Sequence, residues 1–303
     1  MIVAEPARLH WEVTEWYRAN ARDLPWRRTT DAYAILVSEV MLQQTQVERV
    51  IPKYKAFLQI FPTLGTLASA EAGEVIRAWA GLGYNGRAVR LHRLAQSVVA
   101  EHGGILPDDL GGLRGLPGIG PYTAAAVACF AFGANVPLAD TNVYRVLSRV
   151  AYGAQAPSRR EVNGLVAKLT PTANASAWFQ GLMDIGATVC RAKPECACCP
   201  LQRLCAAAPM LQGDGGGALA EASVPYSPRQ SPFAGSRRYF RGKVVDVLRT
   251  LGPGESLRVV ALGSRVAGRV GGESLSDAAL ERLLAELERD GLVLTGGGRV
   301  RLP

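Results

Sequence analysis

Apolar residues recur at three- and four-residue intervals through most of the first two-thirds of this chain, the spacing that lines one face of an α-helix. The pattern is clearest over residues 32–61, 72–79, 87–102, 122–132, 142–152 and 159–169, and no alternating, strand-like stretch of useful length interrupts it. Between these segments stand Phe61-Pro62-Thr63, Gly81-Leu82-Gly83 and Gly103-Gly104, each a stop or turn between short helices. Residues 6–207 are therefore predicted to be helical nearly throughout. Over residues 210–236 the composition shifts to glycine, proline, serine and alanine, with Gly213, Gly215, Gly216 and Gly217 clustered, as in a mobile linker. Beyond it a helix is predicted over 242–251. A second is capped by Ser276 and sets Leu280, Leu283, Leu284 and Leu287 on one face, and a hairpin over 292–302 turns at Gly296-Gly297-Gly298. Helices followed by a hairpin suggest a small winged-helix unit.

Composition narrows the class. With 303 residues and 48% apolar content the chain suits one large or two ordinary packed domains. Its apolar runs are broken well before the roughly 18 residues of a membrane span, and residues 1–25 lack a basic-then-apolar signal pattern. The expectation is a soluble, cytoplasmic, monomeric protein with no membrane partner. A formal net charge of +8 and a pI near 9.4 suit a polyanion such as nucleic acid. Residues 237–303 hold twelve basic residues against eight acidic ones, so a disproportionate share of that charge lies in the C-terminal module.

Chemistry concentrates in four places. Cys190, Cys196, Cys199 and Cys205 follow the spacing C-x5-C-x2-C-x5-C, a set of soft ligands suited to tetrahedral zinc or to a 4Fe–4S cluster. Pro200 directly after the third cysteine, a helical stretch over 178–189 leading into the first, and the lack of paired CxxC knuckles favour the cluster. Disulfides are disfavoured by the absence of a secretory signal and by the adjacency of Cys198 and Cys199. Cys129, in an alanine-rich helix, reads as a small core residue, and His10, His92 and His102 stand singly. Leu116-Pro117-Gly118-Ile119-Gly120-Pro121-Tyr122 is a tight glycine turn opening a helix, where backbone N–H groups can meet a phosphate; an ordinary helix-turn-helix corner is the alternative. Glu39 has Ile35, Leu36, Leu42 and Gln43 as helical neighbours, an apolar wall that would raise its pKa and keep it an acid, unless an arginine pairs with it. Asp140 precedes a helix that starts at Thr141. It is either a plain N-cap or a carboxylate kept ionised by helix N–H groups to face a developing cation.

Leu24-Pro25-Trp26-Arg27, the run from Ser38 through Glu39 and Gln43-Gln44 to Val47, Gly81-Leu82-Gly83-Tyr84, Leu116-Pro117-Gly118-Ile119-Gly120, Asp140-Thr141-Asn142-Val143 and the four cysteines occur in that order. Together they resemble the adenine DNA glycosylase (MutY) family of the helix-hairpin-helix, endonuclease III superfamily over residues 24–205. The resemblance implies a mostly α fold. Its glycosylase domain would span 1–207, with a six-helix part at about 31–137 and an iron-sulfur cluster part at about 1–30 and 138–207, followed by a linker over 208–237 and the winged-helix-like α+β module over 238–303. It implies that Glu39 protonates adenine on its imidazole side, that Asp140 stabilises the oxocarbenium-like sugar, and that Tyr122 and Asn142 support the pair. Trp26, Arg27, Gln43, Gln44, Leu82 and Tyr84 would meet the flipped adenine, its partner base or the pocket rim, and Leu116, Gly118, Ile119 and Gly120 the DNA backbone. Cys190, Cys196, Cys199 and Cys205 would hold a 4Fe–4S cluster. Endonuclease III has a lysine nucleophile where this chain has Tyr122, which implies a monofunctional hydrolase acting on double-stranded DNA with adenine opposite 8-oxoguanine or guanine. The chain departs from the family in three ways: the first cysteine interval is one residue short, Thr141 replaces a common glycine, and the short module stands in place of the large lesion-reading domain. A thymine or uracil mismatch glycosylase of the same superfamily, and a noncatalytic iron-sulfur DNA-binding protein, are the competing readings.

Overall fold

The structure, a computed structural model, describes residue 3 and residues 5–153, 155, 157–211, 232–266 and 276–303. The chain is helical from its start: α1 (Pro6–Asn20), α2 (Ala32–Leu42), α3 (Val47–Ile60), α4 (Leu64–Ser69), α5 (Ala72–Ala78), α6 (Gly86–His102), α7 (Leu110–Gly115), α8 (Pro121–Phe132), α9 (Thr141–Tyr152), α10 (Arg159–Leu169), α11 (Ala175–Asp184) and α12 (Ala208–Leu211). The apolar pattern read as continuous over 32–61 is two helices. The break comes at Gln44, whose φ of 56° no helix tolerates, and no glycine or proline announces it. Most of the predicted linker lies outside the described residues.

The C-terminal segment continues with α13 (Arg237–Arg249), β1 (Leu257–Arg258), α14 (Val259–Val266), α15 (Asp277–Arg289), β2 (Leu294–Gly296) and β3 (Arg299–Arg301). The strands form an antiparallel sheet in the order β1-β3-β2, with Val300 paired to Leu257 on one side and Thr295 on the other. The two predicted helices and the closing hairpin are present, with β1 and α14 added to them. Ser276 caps α15, accepting from Ala279 N. Ser236 caps α13 in the same way, which starts that helix five residues before its predicted position. Strand β1 and helix α14 went unread, since two residues are too few to display a period of two.

The described chain divides into two compact units. The first comprises Met1–Ala32, Asp108–Leu110 and Gly120–Arg229; the second comprises Tyr33–Pro107, Gly111–Ile119 and Gln230–Pro303. In the first, α1 and α9 pack on α11 around Leu9, Val13, Leu147, Trp178, Phe179 and Leu182. In the second, α4 and α5 pack on α6, and Ile76 and Val89 share one apolar cluster with Val244, Leu248, Leu284 and Leu302 of the C-terminal module. The module is thus built into the core of the second unit.

Candidate active site

In the first unit Asp140 is the N-cap of α9. Its Oδ1 accepts from Val143 N at 2.7 Å, and Asn142 Nδ2 donates to its Oδ2 at 2.8 Å. The predicted cap is therefore real, and Asn142 is bonded to the carboxylate it was expected to support. Desolvation raises the Asp140 carboxyl above its ordinary value, against the Val143 and Asn142 hydrogen bonds and the charge of Arg145, which pull it down. Arg145, one turn further along α9, donates from Nη2 to Asn142 Oδ1 and to Gly186 O and from Nε to Cys190 O, each at 2.7 Å. Gly186 is required there, because a Cβ on it would lie 2.5 Å from Asn142 Cβ. Tyr122, near the start of α8, is half-buried against the same core.

Cys190, Cys196, Cys199 and Cys205 line one cavity with Arg149, open to solvent on one side. Helix α11 widens into a π turn over Ile185–Val189, closed by Cys190 N donating to Ile185 O at 2.7 Å, and this presents the first cysteine. Arg149 Nη1 donates to Arg191 O at 2.7 Å and lies 3.3 Å from Cys190 Sγ. Burial pushes the Cys199 thiol up to about 12 and raises Cys196 and Cys205 as well, with neighbouring cysteine sulfurs adding to each shift. Cys198 does not line the cavity; it is exposed and its thiol donates to Glu195 O at 3.3 Å. Among the described residues no three His, Cys, Asp or Glu side chains are grouped to hold a single metal ion. Cys129 is buried in α8, which pushes its thiol up to about 12, as a core residue should be.

Trp26 is buried, and Arg27 is engaged by Asp184, a fully buried carboxylate at the end of α11. Arg27 donates two hydrogen bonds to it, at 2.6 and 2.8 Å, and Arg22 donates two more, from Nε at 2.6 Å and from its backbone N at 3.0 Å. This fork is committed to holding the entry of α11's π turn, a role the sequence reading did not assign to it.

In the second unit Glu39 lies in the middle of α2, 7% exposed, between the buried residues Tyr33 to Val37 and Met41. Gln43 and Gln44 follow where the helix ends, Gln44 exposed and Gln43 half-buried. In the turn between α5 and α6, Leu82 is 2% exposed while Tyr84 is 43% exposed at φ 45°, so Tyr84 is the side chain that this turn offers outward. Arg87, which the sequence reading missed, ties the two loops together. Its Nη1 donates to Val40, Met41 and Gln43 carbonyls at 2.9, 2.8 and 2.5 Å, and its Nη2 to Thr45 Oγ1, Leu82 O and Gly83 O at 3.0, 3.1 and 3.1 Å. The guanidinium also lies over the Trp79 and Tyr84 rings, and burial pulls it down to about 10. Its signal in the sequence is an arginine on the apolar stripe of α6, four residues before Leu91 and seven before Leu94.

The glycine turn has the expected form. Ile119 N donates to Leu116 O at 3.2 Å, Gly118 takes φ 80°, a left-handed value that favours glycine, and Gly120 caps α8. Leu116 is buried, while Gly118 and Gly120 are exposed and Ile119 half-exposed. The turn therefore presents backbone, followed by a helix N-terminus, where an anion can be met by N–H groups.

Comparison with known proteins agrees with this arrangement. Residues 37–172 match the family described as HhH-GPD superfamily base excision DNA repair protein. The chain is 42% identical to an adenine DNA glycosylase of Mycolicibacterium smegmatis over 96% of this chain and 94% of that one, and 41% identical to one of Mycobacterium tuberculosis over 77% and 76%. Among solved structures, a thermostable thymine-DNA glycosylase superposes with a TM-score of 0.64 at 29% identity, covering 68% of this chain and 97% of the other. The likeness to the first relative runs through the C-terminal module as well as the helices before it, and the chain belongs to the adenine DNA glycosylase family of HhH-GPD base excision DNA repair proteins.

Proposed function

We propose that this protein removes adenine paired with 8-oxoguanine or guanine from double-stranded DNA by hydrolysing the N-glycosidic bond, leaving an abasic site. The observation that carries the reading is Asp140, seated on the α9 N-terminus with one oxygen on Val143 N and the other on Asn142 Nδ2. Such a carboxylate is oriented before the reaction and faces a developing positive charge without having to reorganise. Glu39, enclosed among apolar side chains, is suited to hold a proton and deliver it to the imidazole side of adenine. As that proton transfers, the bond from the sugar C1′ breaks, its electron pair leaves with the base, and Asp140 stabilises the oxocarbenium-like sugar until water adds. Tyr122 offers no amine for a Schiff base, so the enzyme is monofunctional. The target base has to leave the helix stack; Tyr84 and Gln44 enter the gap, and the Leu116-to-Gly120 turn grips backbone phosphate.

The four thiols of Cys190, Cys196, Cys199 and Cys205, brought to one pocket, are a donor set suited to a polyatomic 4Fe–4S cluster. A single zinc ion would draw four sulfurs to about 2.3 Å from one point, whereas a cluster binds each thiolate at a separate iron. When bound, the cluster serves as an inorganic cross-link between the π turn after α11 and the loop before α12. Purified protein should be brown, with iron and sulfide near four per chain; stoichiometric zinc without iron would overturn this assignment. Among the described residues no helix is long and apolar enough to cross a membrane, and the reading places the enzyme in the cytoplasm on DNA, as a monomer.

The deciding experiment is single-turnover base release from duplexes carrying A:8-oxoguanine, A:G, T:G and U:G. Adenine release from the first two is expected. Release from T:G or U:G in its place would favour the runner-up, thymine or uracil mismatch excision, to which the structural likeness to a thymine-DNA glycosylase gives some support.

A further inference from the structure

The C-terminal module touches the protein at the turn that carries Tyr84. Arg249, in α13, has a side chain only 9% exposed; its Nε donates to Ile76 O at 3.0 Å and its Nη2 to Asn85 Oδ1 at 2.8 Å. Ile76 lies in the last turn of α5, where carbonyls lack partners within the helix. Asn85 is the residue before α6 and makes no side-chain cap bond to that helix. One guanidinium therefore joins the two ends of the segment that runs through Gly81, Leu82, Gly83 and Tyr84. Asp246 orients it, accepting from Nη1 at 2.7 Å.

That segment needs holding. Gly81, Gly83 and Tyr84 all take positive φ, at 85°, 70° and 45°. A non-glycine residue in that region is strained and persists only where its surroundings enforce it. Arg87 enforces it from inside and Arg249 from the module. The module itself is fastened to the same two helices. Val244 and Leu248 share a core with Ile76 and Val89, Arg77 Nη2 donates to Leu251 O and Gly252 O at 3.3 and 3.2 Å, and Gly73 N donates to Pro303 O at 2.9 Å. Meanwhile several of the module's basic side chains have partners within it: Arg237 and Arg241 pair with Glu286, Arg241 also with Asp290, and Arg299 bonds Ser256. Its positive charge is not simply laid out for phosphate.

We propose that the winged-helix module is a brace for the Tyr84 turn and that Arg249 is its positioning residue, holding the turn in the shape that enters the duplex when the base is extruded. The proposal rests on the reading of this protein as a base-extruding glycosylase. Its role is to make extrusion fast, without contact to substrate by Arg249 itself.

The test uses the full chain and five variants: Arg249→Ala, Asn85→Ala, both together, Arg249→Lys and Arg77→Ala. The readouts are stopped-flow fluorescence of 2-aminopurine beside the target adenine, single-turnover adenine release, affinity for undamaged duplex, and melting temperature. Arg249→Ala and Asn85→Ala are each expected to slow extrusion about tenfold, and the double variant no further, because both remove one interaction. Arg249→Lys, which can reach one of the two acceptors, should fall between. Affinity for undamaged duplex should stay within about twofold in all of them. Arg77→Ala weakens the same interface without touching Asn85; it should lower the melting temperature and leave extrusion within about twofold. Multiplying effects in the double variant, an extrusion defect in Arg77→Ala as large as in Arg249→Ala, or normal extrusion in Arg249→Ala would each overturn the brace. Wild-type protein that neither extrudes nor releases adenine would sink the functional reading and the brace with it, whereas active wild type with an unaffected Arg249→Ala sinks the brace alone.

Discussion

Glu39 in the second unit and Asp140 in the first stand at different points of a helix. Glu39 stands in the middle of α2, where its own helix has no orphan N–H groups to offer and most of the neighbouring side chains, Ile35, Leu36, Val37 and Met41 among them, are apolar and buried. Asp140 stands at the beginning of α9, where backbone N–H groups and the Asn142 amide converge on it. The same functional group is thus enclosed among mostly apolar side chains in one unit and met by hydrogen-bond donors in the other. Position along a helix does much of what a specialised residue type would otherwise have to do.

A parallel contrast runs through arginines of the two units. In the first unit Arg27 and Arg22 meet a charge, the carboxylate of Asp184. Burial works to raise that carboxyl, but the Arg27 hydrogen bonds and the charges of both arginines bring it below the ordinary value. In the second unit Arg87 meets carbonyls, a hydroxyl and two aromatic faces. An ion pair fixes two points. A guanidinium spread over carbonyls from two loops fixes the path of both.

The largest effects test the carboxyl contrast. Glu39→Gln keeps shape and loses the proton, so base release should fall about 100- to 10,000-fold with duplex affinity retained; wild-type turnover in this variant would remove Glu39 from the mechanism. Asp140→Asn should cost roughly 100- to 1,000-fold, since the charge aimed at the cation is gone while the cap survives. The two defects should also differ in kind. Supplying a duplex whose adenine is already a better leaving group should rescue Glu39→Gln more than Asp140→Asn, and equal rescue would erase the distinction drawn between the units.

Next comes the arginine contrast. Asp184→Asn strips the counter-charge from Arg27 and should cost about 3–5 kcal/mol, read as a fall in melting temperature. Arg87→Lys keeps the charge but cannot serve carbonyls on both loops. Leaving one or more of them unsatisfied should cost about 1–3 kcal/mol. A larger loss for Arg87→Lys than for Asp184→Asn would reverse the comparison.

The smallest effect is in stability against pH. Desolvation raises the folded-state Asp140 carboxyl above its unfolded value, so the folded protein binds its proton more tightly than the unfolded chain does. The group then favours the fold below the unfolded pKa, and this contribution is lost as pH rises through the folded value. Asp140→Asn, which removes that loss and keeps an N-cap, should melt slightly higher than wild type at pH 7, with the gap closing in acid. A variant that melts lower at pH 7 would mean that the hydrogen bonds from Val143 and Asn142 outweigh desolvation.

What could be read from the sequence alone was whatever is decided within a few residues. The caps Asp140 and Ser276, the glycine turn from Leu116 to Gly120, the three-glycine hairpin and the four cysteines each depend on chemistry reaching no further than one or two turns of chain, and each stands where its local pattern put it. The mostly helical fold followed for the same reason, since a 3.6-residue period is a local property. What only the tertiary structure decided were pairings across long stretches of chain: Arg27 with Asp184, 157 residues apart, and Arg249 with Asn85, 164 apart. It also decided that Leu82 turns out buried beside an exposed Tyr84, and that α2 and α3 part at Gln44 within one unbroken apolar pattern. An arginine on an apolar stripe announces that it will be buried but not what will meet it, because its partners are chosen by how helices pack. The role proposed for the C-terminal module is of this second kind: its last helix and its hairpin could be read from a cap and a glycine turn, and the part it plays only from where Arg249 comes to rest.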